Sequence, residues 1–64
     1  MTVKDLKKGE YFTKKPIEEP KESQVWVRGE YDRSEKKYEA FNFADVSRTI
    51  LLKGSAEIYT DFTF

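Results

Sequence analysis

The run Trp26-Val27-Arg28 places the chain's single tryptophan two residues from an arginine. It lies within VWVRGEYDRSEKKYEAF, residues 25–41. In an extended strand both side chains project from one face. A ring flanked by a guanidinium can stack a nucleobase, or it can belong to a surface that is shielded from water by a partner. Acid–base chemistry has less to draw on. The carboxylates that come in pairs are Glu18-Glu19 and Glu30 opposite Glu39, and their setting is that of solvated surface charge. There is no histidine and no cysteine. The usual general base, the nucleophilic triads, thiol chemistry and the commonest zinc ligands are therefore missing. Lys8-Gly9 and Lys53-Gly54 are too short to act as phosphate-cradling glycine loops. The expectation is a protein that is not an enzyme, with no cofactor and no metal.

These residues must be positioned by a very small fold. Sixty-four residues make one domain, 1–64, near the lower size limit for a core without staples. Five Phe, four Tyr and one Trp supply that core, each ring burying roughly 150–250 Å². Twelve basic and twelve acidic residues leave no formal net charge, whereas a dedicated nucleic-acid binder carries a basic excess. Ile50-Leu51-Leu52 is far short of a membrane span, which needs about 20 residues. The opening Met1-Thr2-Val3-Lys4-Asp5 has no signal-peptide pattern. A cytoplasmic protein that does not engage a membrane is expected.

The chain reads as short strands. Thr2-Val3-Lys4-Asp5 has capping-box spacing with Asp in the last place, predicting one helical turn that Gly9 ends. Residues 10–15 form a first strand, and two prolines make 16–23 a loop. Residues 24–33 are the clearest strand, with Val25, Val27, Gly29 and Tyr31 on one face and Trp26, Arg28, Glu30 and Asp32 on the other. Gly29 marks a bulge or bend. After a polar turn at 33–36, residues 37–43 return as the third strand. A regular hairpin pairs Tyr31 with Tyr38 and Gly29 with Ala40, whereas a one-residue bulge brings Phe41 and Phe43 to the valine side. Residues 44–48 form a turn, 49–53 a fourth strand, Gly54-Ser55 a type II′ hairpin turn and 56–64 a fifth strand. The expected fold is all-β, a five-stranded, partly open SH3-like barrel with a short N-terminal helical turn; an OB-like barrel is the alternative. The expected core is Leu6, Phe12, Val25, Val27, Tyr31, Ala40, Leu51, Ile58 and Phe62.

The run VWVRGEYDRSEKKYEAF, the opening KDLKKGEYF and the ending KGSAEIYTDFTF resemble small uncharacterised proteins of Bacteroides-type gut bacteria and their phages. The likeness extends over nearly the whole chain and departs most between Asn42 and Leu52. It implies a small bacterial or phage-encoded β domain and carries no functional motif.

Two functional classes are open to such a chain. In the first, Trp26, Arg28, Phe41, Phe43, Ile50, Leu52 and Tyr59 form an apolar patch on the outer face, and the protein is a non-catalytic protein-interaction or self-association module. In the second, Trp26 and Arg28 bind single-stranded nucleic acid, with Lys36 and Lys37 at the hairpin tip. Glu30, Asp32 and Glu39 on the same face repel phosphate, so the nucleic-acid reading ranks second.

Overall fold

A computed structural model describes residues 1–63. It is a small all-β protein built on one open antiparallel sheet, ordered β1 (Tyr11–Phe12), β2 (Trp26–Asp32), β3 (Lys37–Asn42) and β4 (Thr49–Lys53). Two single 3₁₀ turns, Val3–Asp5 and Glu22–Gln24, flank it. Among the described residues no helix is long and apolar enough to cross a membrane.

The first turn forms where the capping spacing predicts it. The Thr2 amide and hydroxyl both donate to the Asp5 carboxylate, at 3.0 and 2.9 Å. Its end differs from the expectation: the chain leaves the turn at Leu6, and Gly9 serves a separate bend at φ 93°, a left-handed conformation suited to glycine.

The β2–β3 hairpin contains both registers that the sequence allows. Near its turn Tyr31 faces Tyr38; beyond the irregularity at Gly29-Glu30, Arg28 faces Ala40 and Val27 faces Phe41. A Cβ on Gly29 would lie 2.6 Å from the Phe41 ring, so glycine is what lets that ring cross the strand. The Asp32 carboxylate closes the turn by accepting from the Ser34 amide and hydroxyl.

The core lies on the Trp26 side of β2, the reverse of the expected face. Trp26 is 3 % exposed and packs with Val3, Leu6, Phe12, Ala40 and Ile58. Burying its ring contributes roughly 4–6 kcal/mol at most, against about 1.5–3 kcal/mol for a valine. The larger apolar surface therefore decides which face turns inward. Leu6, Phe12, Val25, Ala40 and Ile58 are buried as expected. Val27 is half-buried on the opposite face, and Tyr31 and Leu51 are 43 % and 41 % exposed. Phe62 is half-buried in the C-terminal segment.

Leu51 points outward because its register with β3 sets it opposite Glu39, on the Phe41 side of the sheet, and the C-terminal segment does not pair with β4. The expected fifth strand, residues 56–64, is absent over the described residues, and Phe64 lies outside them. Gly54-Ser55 does turn the chain, with the Ala56 amide donating to the Lys53 carbonyl at 2.9 Å. The N-terminal turn then captures the segment beyond Gly54. The amides of Lys4 and Val3 donate to the carbonyls of Gly54 and Ala56, and the Ile58 amide donates to the Met1 carbonyl. Farther on, Thr13 and Tyr59 exchange two backbone hydrogen bonds, at 2.9 and 3.0 Å. Ile58 is thereby buried against the core rather than opposite Leu51.

Candidate functional site

Alternation along the sheet separates the expected patch onto two sides. Trp26 belongs to the core, and Ile50 and Leu52 pack against it half-buried, paired with Ala40 and Tyr38. Arg28 is on this side too, its guanidinium 4.5 Å from the Tyr38 ring and its Nη1 donating to the Gly29 carbonyl. Its Nε is enclosed without an acceptor. Phe41 and Phe43 occupy the other side. Tyr59, 37 % exposed, sits on the C-terminal segment that joins β1. The seven residues are therefore not one surface: the bulge at Gly29 carries the two phenylalanines to the valine face.

That outer face is the first candidate site. Tyr11, Val27 and Phe41 are consecutive partners across β1, β2 and β3. The Phe43 ring meets Tyr11 edge-on, with centroids 5.5 Å apart. Tyr11 and Leu51 are 45 % and 41 % exposed, and no helix or second sheet covers them among the described residues. Charges of both signs border the apolar centre. Lys37 lies directly opposite Lys53, Glu39 opposite Leu51, and Asp32 opposite Lys37. Like charges directly opposite in a sheet repel, so Lys37 and Lys53 form a local positive spot beside the Glu39 carboxylate. Tyr11 and Val27 carried no distinguishing signal as surface residues. The inverted burial of β2 places both on the outer face.

The second candidate lies around Trp26, at the end of the sheet where the loops meet. A cavity of about 260 Å³ is lined by Lys14, Lys15, Arg48 and Trp26, with Ile17, Ser23 and Gln24 completing its wall. The Lys14 ammonium lies 4.7 Å and the Arg48 guanidinium 5.7 Å from the centroid of the indole. Neither forms a salt bridge; the two ion pairs among the described residues are Met1–Glu57 and Lys8–Glu30. Sequence pattern alone pairs Trp26 with Arg28, yet its cationic neighbours are distant in the chain.

Asn42 fixes this cavity's frame. It is 1 % exposed and holds loops on both sides. Its Nδ2 donates to the Ser23 carbonyl at 2.9 Å, while its Oδ1 accepts from the amides of Ala44 and Asp45 at 3.1 and 3.2 Å. Its own amide donates to the Arg48 carbonyl. Thr13, fully buried, does the same beneath Lys14, its hydroxyl donating to the Lys15 carbonyl at 2.6 Å. The Arg48 amide donates to the Asp45 carbonyl at 2.9 Å. The Ser47 hydroxyl, the Ser47 amide and, more weakly, Arg48 hold the Asp45 carboxyl below the usual carboxylate range.

A third opening of about 390 Å³ is lined by Glu18, Glu19, Asp61, Phe62 and Thr63. Among the described residues no group of three or more His, Cys, Asp or Glu could hold a metal ion. Glu30, expected opposite Glu39, instead pairs with Lys8, whose hydrogen bond and charge lower its carboxyl pKa.

No protein-family model matches the chain, and neither a curated protein nor a solved structure matches it.

Proposed function

We propose that the protein is a non-catalytic interaction module that associates with a second copy of itself through the outer sheet face. One observation carries this reading: on the outer face Leu51 is 41 % and Tyr11 45 % exposed beside the half-buried Val27, Phe41 and Phe43, an apolar layer on one side of the sheet. Such a layer on a small monomer marks a site of association. The border charges favour an identical partner. In a two-fold arrangement the same patch meets itself, so Glu39 of one copy can approach Lys37 and Lys53 of the other. A chain with balanced charge opposes that approach with little net repulsion.

We further propose that the fold is a partly open SH3-like barrel. The exchange of hydrogen bonds between Thr13 and Tyr59 brings the C-terminal segment beside β1. In this reading that return would close an SH3-like barrel, with residues 57–59 in place of a fifth strand. A cytoplasmic setting in a bacterium or phage completes the reading.

Base stacking on Trp26 receives no support from the geometry, because a ring 3 % exposed offers no open face. Sedimentation across a wide concentration range, on the native chain and on Leu51→Glu, tests the self-association.

A further inference from the structure

The cavity at Trp26 has a chemistry that the outer face does not share. Three cationic side chains line about 260 Å³, and no carboxylate lines it. Cations gathered in one concavity raise the local potential for an anion. Lys14 and Arg48 already lie over the indole, and cation–π attraction of about 0.5–1 kcal/mol at an exposed site only partly replaces a counter-charge. Asp45, on the 44–48 turn, is held ionised by the Ser47 hydroxyl and amide at 2.6 and 3.1 Å and its charge acts on Arg48, but it does not line the cavity. Glu18 and Glu19 line the other opening, across the 16–23 loop. The frame is also built rather than incidental, because Asn42 and Thr13 are both buried and fix the backbone on either side.

We infer that this cavity is a binding site for a phosphate group, held by Arg48, Lys14 and Lys15 beside the buried indole, with the half-buried Ile17 receiving the organic part of a phosphate ester. The guanidinium fork suits two phosphate oxygens at once, and the lysines act as mobile point charges on the remainder. A dianion matches three cations better than a carboxylate does. The volume accommodates a phosphate with a small substituent. The site lies on the core side of β2, away from the outer face, and is independent of self-association.

The sole tryptophan reports occupancy directly. Its emission is monitored at constant ionic strength while the protein is titrated with inorganic phosphate, with a 5′-phosphorylated tetrathymidylate and with the same oligonucleotide bearing a 5′-hydroxyl. Chloride and acetate serve as controls, and calorimetry provides a second readout that does not depend on the indole. A saturable response to inorganic phosphate, with a midpoint of about 1 mM, is expected, as is proper for a small exposed ionic site. Arg48→Gln and Lys14→Gln each weaken it about tenfold or more, whereas Arg33→Gln, in the exposed turn at the far end of the β2–β3 hairpin, leaves it unchanged. Tighter binding of the 5′-phosphorylated oligonucleotide alone identifies a terminal phosphate ester as the ligand. Equal tightening by both oligonucleotides identifies a backbone phosphodiester. An absent or unsaturable response to inorganic phosphate, equal responses to acetate, or unaltered binding in Arg48→Gln overturns the assignment.

Discussion

Asn42 gives its side chain entirely to backbone groups that no strand partner satisfies, those of Ser23, Ala44 and Asp45. Buried polar groups left without partners cost about 1–3 kcal/mol, and truncation here orphans groups on two loops. Asn42→Ala is expected to lower stability by about 1–3 kcal/mol in chemical denaturation. It should also loosen both loops around Trp26, which hydrogen exchange at residues 22–24 and 44–48 would show. Unchanged exchange there would deny it the role of bracket. Asp32 acts at the hairpin turn, where the Ser34 hydroxyl, the Glu35 amide and the Ser34 amide lower its carboxyl pKa in the folded state. A depressed folded pKa contributes stability above the unfolded value and loses it as pH falls through the folded one. Asp32→Ala should therefore reduce Tm at pH 6, and the gap from the native protein should close as pH drops below the ordinary carboxylate range. A gap constant from pH 6 to pH 2 would contradict the carboxylate's part in the turn.

At the scale of elements, β2 decides the architecture. Its alternation was legible, and so were the bulge at Gly29, the turn at 33–36 and the limits of β4 at Thr49–Lys53. Which face turns inward was not legible, because Val25-Trp26-Val27 is apolar on both sides and period alone does not choose. Ring size does. Trp26→Ala is expected to cost about 3–5 kcal/mol, and Val27→Ala about 1 kcal/mol or less because Val27 is only half-buried. The reverse order in urea denaturation would place the core on the wrong side of the sheet. The C-terminal strand failed for a different reason. Local turn chemistry at Gly54-Ser55 specifies a reversal but not a partner, and the Val3–Asp5 turn competes for the same backbone groups. Contacts between the two chain ends have no local signature. The grouping of Lys14 and Arg48 about Trp26 is hidden for the same reason, being a product of loops that meet only in the fold.

For the whole molecule, a four-stranded sheet has two faces, and among the described residues the N-terminal turn and the C-terminal segment pack on the Trp26 side. On the other side Leu51 stays 41 % exposed beside the half-buried Phe41. The apolar patch expected from the sequence draws on both faces, since Phe41 and Phe43 lie on the side opposite Trp26 beyond the bulge. Sedimentation equilibrium from micromolar to millimolar protein tests the central claim most directly. The native chain should pass from monomer to dimer over that range, and Leu51→Glu, which places a charge in the apolar centre without touching the core, should remain monomeric throughout. A native chain that is strictly monomeric at millimolar concentration, or a Leu51→Glu variant that dimerises equally well, would contradict the account.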